Sequence, residues 1–141
     1  MHIHTPESFH NDFCFKNEQE KDKYNNNIWD KYIDELERIK DVPAIGITDY
    51  FSIDGYKKVL EYRSQGRLSN FQLILPNIEL RLDKYISDND INRPRRQNYH
   101  VIFSNEIDCK SIDEEFLEGL EIKKRKRRSE KVKPKKYRRN R

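Results

Sequence analysis

From Ile28 onward, the apolar positions Trp29, Tyr32, Ile33, Leu36 and Ile39 recur three and four residues apart, with charges between them. That repeat places one apolar stripe on a helix. A second helix is predicted where Ser52 or Asp54 can cap a stripe of Tyr56, Val59 and Leu60, with the stem of Arg63 at its margin. Between the two, PAIGIT, Pro43 to Thr48, is short, rich in β-formers and apolar on both faces, the pattern of a buried parallel strand. Residues 1–4 read as a short strand, and the polar stretch 11–27 as a loop with a helical turn around NEQEKDK. FQLILPNIEL, Phe71 to Leu80, predicts a strand interrupted at Pro76 and Asn77, followed by a polar, Arg-rich connection over 81–97. YHVIFS, Tyr99 to Ser104, predicts another buried strand, and the capping-box pattern Ser111-Ile-Asp-Glu114 opens a short helix through Leu120. The order β-α-β-α-β-β-α points to an α/β sheet or barrel.

Charge divides the chain in two. The net +4 averages an acidic body and a basic end: residues 123–141 hold 13 Lys/Arg and one acid, or +12, while residues 1–122 hold 16 bases and 24 acids, or −8. One domain over 1–122 with a tail over 123–141 is therefore expected. The tail, KKRKRRSEKVKPKKYRRNR, has no periodic apolar face to offset the entropy of ordering and reads as disordered. Its charge suits nucleic acid, through neutralisation of phosphates without sequence preference. Cys14 and Cys109 are far apart and in no CxxC spacing, so neither a zinc knuckle nor a disulfide framework is indicated. No apolar run approaches a membrane span and no secretory signal is present, so a reducing cytoplasm and no membrane partner are expected.

The candidate chemistry lies at strand ends. His2, His4, His10 and His100 are all the histidines of the chain, and His2 and His4, two apart in a strand, share a face. Parallel α/β sheets gather ligands at the C-terminal ends of their strands. There the predicted strands offer His2 and His4, Asp49 and Glu79, with His100 early in its own strand and Tyr50 and Arg81 close by in sequence. Imidazoles with carboxylates suit zinc, manganese or iron, and such sites hydrolyse phosphate esters. Each residue also has a plainer reading. An HxH alone is a weak signal, Asp49 serves equally as a cap of the next helix, Glu79 as a surface acid, and His100 as a hydrogen-bonded core histidine.

HIHTP, GITDY, PNIEL and HVIFS, in this order and spacing, resemble the PHP family, named for polymerase and histidinol phosphatase. The wording ITDYFSIDGYKKVLE is similar to PHP domains at the front of large bacterial coiled-coil ATPases in DNA-repair or phage-defence settings. The resemblance, covering residues 2–120, implies a distorted β/α barrel and divalent metal ions. It implies His2, His4, His10, Glu79 and His100 as ligands, Glu79 as the bridging carboxylate, and Asp49 in support. Arg81 or Tyr50 would steady the oxyanion.

Two departures bear on that reading. The histidine of the family's TDH motif is Tyr50 here, and a phenol is no equal ligand. No histidine follows His100, so the chain matches about half of the barrel. The abrupt charge reversal after FLEGLEIK is expected to mark a truncation or frameshift. The expected function is the N-terminal part of a metal-dependent phosphoesterase, acting on a phosphate ester or nucleic-acid phosphodiester and inactive on its own. The alternative is a non-catalytic module that binds nucleic acid through 123–141.

Overall fold

Asn27 accepts a hydrogen bond from the Trp29 backbone N–H at 3.1 Å and starts the helix Ile28–Glu37 (α2). Its stripe of Trp29, Tyr32, Ile33 and Leu36 is buried, as the spacing predicts. Ahead of it, Asn17 caps a single short helix, Glu18–Lys23 (α1), inside the segment expected to be a loop with a helical turn. The computed structural model describes residues 1–8, 12–86 and 95–120. His10 and the basic segment 123–141, with the predictions made for them, lie outside the described residues.

Four strands form one sheet in the order β1 (His2–His4), β2 (Ala44–Tyr50), β3 (Leu73–Ile86), β4 (Arg95–Ile102). The first three are parallel and β4 runs antiparallel to β3. Among the described residues this is an open mixed α/β sheet, with helix α3 (Asp54–Ser64) crossing over between β2 and β3. Ile45, Ile47, Ile74 and Ile78 occupy one face and pack with Ile33 and Leu36 of α2, Tyr56 and Val59 of α3, and Ile112. Each such side chain, fully buried, contributes about 1.5–3 kcal/mol. Alternation then turns His2, His4, Gly46, Thr48, Tyr50, Leu75, Asn77 and Glu79 to the other face. Among the described residues no helix is long and apolar enough to cross a membrane.

Three local expectations are corrected. Pro76 does not interrupt its strand. Its carbonyl accepts from Phe103 N–H at 3.0 Å just where the β4 ladder ends at Asn77–Ile102, so the missing proline N–H falls where no ladder partner is needed. The polar stretch after Leu80 is not a plain connection. β3 continues to Ile86 and β4 begins at Arg95, with a register shift between Arg81 and Tyr85. The last helix starts earlier than its capping box. Asp108 accepts from Ser111 N–H at 2.9 Å and Ser111 O–H at 2.8 Å, opening a turn at Cys109–Ser111 (α4) that widens into π-helical Ile112–Leu117. Both cysteines are free thiols.

Behind the sheet, Arg67 donates to Glu37 at 2.7 and 2.9 Å and to Asp34 at 2.7 Å, while Glu37 also accepts from Leu68 N–H at 2.7 Å. Leu68 is left-handed at φ 61, so Glu37 fastens a turn that a leucine adopts reluctantly. The Arg67 guanidinium, then the Leu68 N–H, hold the Glu37 carboxyl below its ordinary range. A depressed carboxyl stabilises the fold above its unfolded pKa of about 4.3, and that gain is lost as pH falls through the folded value. Glu37→Gln is expected to cost about 1 kcal/mol at pH 7, solvent screening included. It should also flatten the decline of the urea midpoint below about pH 4.5. An unchanged acid limb would contradict this.

Candidate metal and phosphate site

Register decides which polar residues meet. Tyr50 pairs with Glu79 across β2 and β3, and Glu79 with His100 across β3 and β4. The sequence places His100 early in its strand and Glu79 at a strand's end; instead His100 lies late in β4 (Arg95–Ile102) and Glu79 midway along β3 (Leu73–Ile86), level with the C-terminal end of β2. His4, on the same sheet face from β1, completes the group. Its Nε2 lies 3.1 Å from Glu79 Oε2, and His100 Nε2 lies 3.9 Å from the same oxygen. The Glu79 side chain is 4% exposed and the two imidazoles 27% and 32%, so the carboxylate forms the floor and the rings the wall.

The rest of the group is fixed by polar contacts. Asn98 donates to Glu79 Oε1, and His4 Nδ1 faces Ser8 Oγ at 3.2 Å. Asn77 donates to Thr48 Oγ1 at 2.7 Å and sets its amide 3.2–3.3 Å from His100 Nδ1. His2 lies against His100, ring centroids 4.8 Å apart, and 6.0 Å from His4. Tyr50, standing where the resembled motif has histidine, stacks flat on His4 at 5.3 Å. Burial, and then a hydrogen bond to Glu79, push the Tyr50 phenol above its ordinary pKa. It is therefore a neutral donor at pH 7. The Arg81 guanidinium sits 5.6 Å over the Tyr50 ring, its Nη2 3.5 Å from the hydroxyl, with Nε donating to Asn98 at 3.1 Å.

Asp49 is not part of this group. It alternates with Tyr50 and so turns to the core side, where Oδ1 accepts from Thr5 O–H at 2.6 Å and Oδ2 from Gly55 N–H at 3.0 Å. The N-terminus of α3 is thus served by Asp49 and by Ser52, which accepts from Asp54 N–H at 3.0 Å; of the two readings open for Asp49, capping describes its contacts. Burial raises its pKa despite those bonds. Through Thr5 it anchors the segment directly after His4, a positioning role.

Two ligands of one ion at about 2.1 Å each stand about 3.4 Å apart in a tetrahedral site. The 3.1 and 3.9 Å separations from Glu79 Oε2 bracket that figure, and the 3.1 Å contact of His4 is also the length of a direct imidazole–carboxylate pair. Yet among the described residues no three His, Cys, Asp or Glu side chains surround a common point as a metal would require. The pairs fit; a closed cage is not present among these residues. Asn77, Asn98, Ser8 and Thr5 were not singled out in the sequence. The signal available was alternation, since Asn77, Glu79 and Arg81 share one face of β3, as Asn98 and His100 share one face of β4.

No protein-family model, curated protein or solved structure matches the chain.

Proposed function

We propose that the group around Glu79 is part of a metal-dependent phosphoesterase site of PHP type, on a sheet corresponding to about half of that barrel. The observation that carries this reading is the approach of His4 Nε2 and His100 Nε2 to one buried carboxylate oxygen, at 3.1 and 3.9 Å, beside an exposed arginine. His4, Glu79 and His100, with His2 behind them, would hold a divalent ion: zinc, manganese or iron. Such an ion, when bound, supplies Lewis-acid activation of water and offsets charge on a phosphoryl oxygen.

The protein's own contribution is positional. Asn98 and the Tyr50 hydroxyl hold the Glu79 carboxylate in one orientation, and Ser8 and Asn77 each face the Nδ1 of an imidazole whose Nε2 turns to Glu79. Arg81 would hold a phosphoryl oxygen of a phosphate ester or nucleic-acid phosphodiester. The +12 of residues 123–141 supports nucleic acid as the larger partner. An attached ATPase domain belongs to the same proposal.

The test is metal content by mass spectrometry together with manganese-dependent hydrolysis of bis(p-nitrophenyl) phosphate. About one bound ion per chain is expected, with an affinity at least 10-fold weaker in His4→Ala; little or no turnover is expected of the chain alone, and any that is found should be lost with that change. Protein that stays metal-free in excess manganese would sink the reading.

A further inference from the structure

Glu79 and Arg81 stand two residues apart on the open face of β3, an anion and a cation within reach of one another. Among the described residues they do not pair: the carboxylate meets His4 and His100 at Oε2, and a neutral side chain bridges it to the arginine. That side chain is Asn98, directly opposite Arg81 on β4. Its amide nitrogen donates to Glu79 Oε1, and its amide oxygen accepts from Arg81 Nε at 3.1 Å. Only this orientation of the amide offers a donor to the carboxylate and an acceptor to the guanidinium. Tyr50 closes the other flank, with the Arg81 guanidinium 5.6 Å over its ring.

We propose that Asn98 is a positioning residue that holds Arg81 apart from Glu79, keeping the carboxylate free for a metal ion and the guanidinium free for a phosphoryl oxygen; the inference rests on the phosphoesterase reading of this site. The competing arrangement is a direct pair. A contact between arginine and carboxylate, charged on both sides and often bidentate, is stronger than the bond of either group to a neutral amide. Such a pair would set a fixed cation against the lone pairs that the ion must use, and would occupy N–H groups that a phosphate must use. One contact would disable both halves of the site. With Asn98 in place each charged group has a neutral partner, and the guanidinium keeps N–H donors beyond those directed at Asn98 and Tyr50. Orienting Glu79 alone is a smaller role, which any donor at this position would fill. Separating the two charges takes a side chain that is donor and acceptor at once.

Asn98 and Arg81 are both exposed, so replacing them is expected to leave the fold intact. Manganese affinity of the 141-residue chain would be measured by electron paramagnetic resonance for the parent, Asn98→Ala, Arg81→Gln and the double variant. Asn98→Ala is expected to bind more weakly by about 10-fold or more. Removing the arginine as well should return the affinity to within about 3-fold of the parent, because no cation is left to take the carboxylate. Arg81→Gln alone should not weaken binding. A double variant as weak as Asn98→Ala, or an Asn98→Ala chain that binds like the parent, overturns the proposal. The second readout needs no metal. In NMR spectra of the metal-free protein, the Arg81 Nε–H resonance should move downfield in Asn98→Ala, as an amide oxygen gives way to a carboxylate. Adding Glu79→Gln should abolish that shift. No downfield shift, or one that Glu79→Gln leaves in place, overturns the proposal whether or not manganese binds. A parent chain that binds no manganese but shows the shift as described sinks the phosphoesterase reading and leaves Asn98 as the spacer between the two charges.

Discussion

Gly55→Ala is expected to remove about 3 kcal/mol or more of stability, the largest effect of an alanine at any of the four glycines. Gly55 is the second residue of α3, and its N–H is held by Asp49 Oδ2. A Cβ at this position would fall inside hard contact with Asp49 Oδ2 and with Thr5 Oγ1 and Cγ2, all three part of one buried knot. None of them can yield cheaply. Thr5 is fully buried and Asp49 nearly so, and moving the carboxylate leaves a buried hydroxyl and a backbone N–H without their acceptor, a further ~1–3 kcal/mol. Small domains have about 5–15 kcal/mol to lose. The urea midpoint should therefore drop by more than about 1 M, given slopes of about 1–3 kcal/mol per M. Gly46→Ala is the control. Its Cβ makes only ordinary contact with Asn77, so the midpoint should hold or rise slightly. A Gly55→Ala chain as stable as the Gly46→Ala chain would show that the close contact of α3 with the Asp49–Thr5 pair is wrong.

Glu79→Ala is expected to reduce divalent-metal affinity by about 100-fold or more. Removing even an outer hydrogen-bond partner of a ligand costs 10–100-fold, and Glu79 is the proposed ligand that both imidazoles approach. The sharper variant is Glu79→Gln, which keeps the shape and an acceptor for Asn98 but removes the charge. Without metal it should be as stable as the parent or slightly more so, because a buried carboxylate surrounded by polar groups is retained at a cost to the fold. With manganese the parent should melt higher and Glu79→Gln should not move. The readout is the difference in melting temperature with and without metal. A full metal-induced rise in Glu79→Gln would remove Glu79 from the site.

Gly55, in the helix α3 on the core side of the sheet, and Glu79, on the sheet's open face, show how closely the core and the site are joined. Thr5 follows His4 directly, and its hydroxyl is fixed by Asp49 on the core side. Orientation of the His4 ring thus depends on the packing of α3, through Gly55. Damage at Gly55 should reach the His4–Glu79 group even though no atom of that glycine touches it.

Much of the fold is legible in the residue pattern. The spacing of Trp29, Tyr32, Ile33 and Leu36 specifies α2 because only a helix brings those positions to one side, and all four are buried. The apolar run of Ile45 and Ile47 specifies a covered strand, and the two-residue spacing of His2 and His4 specifies a shared face. Composition separates the acidic body from the basic end, since charge adds without regard to shape.

Local pattern does not determine pairing. Pro76 looks like a break because proline lacks an N–H, yet the cost vanishes where the neighbouring ladder ends, and that end is set by β4. The polar residues after Leu80 look like a connection because strands are recognised by apolar alternation, a signal that backbone pairing itself does not require. Asp49 and Glu79 look alike in the sequence, each a carboxylate near a strand's C-terminal end. Pleat parity sends one into the helix-covered side and the other to the open face, and parity acquires that meaning only when the core has taken one face. His100 reaches Glu79 because β4 runs antiparallel, a direction that long-range hydrogen bonds select and local propensity does not. The sequence by itself determined the helices α2 and α3, the apolar strand segments and the chemical types of the candidate site; tertiary structure decided how far the strands extend and which residues meet, because contacts between residues distant along the chain depend on strand order, direction and register.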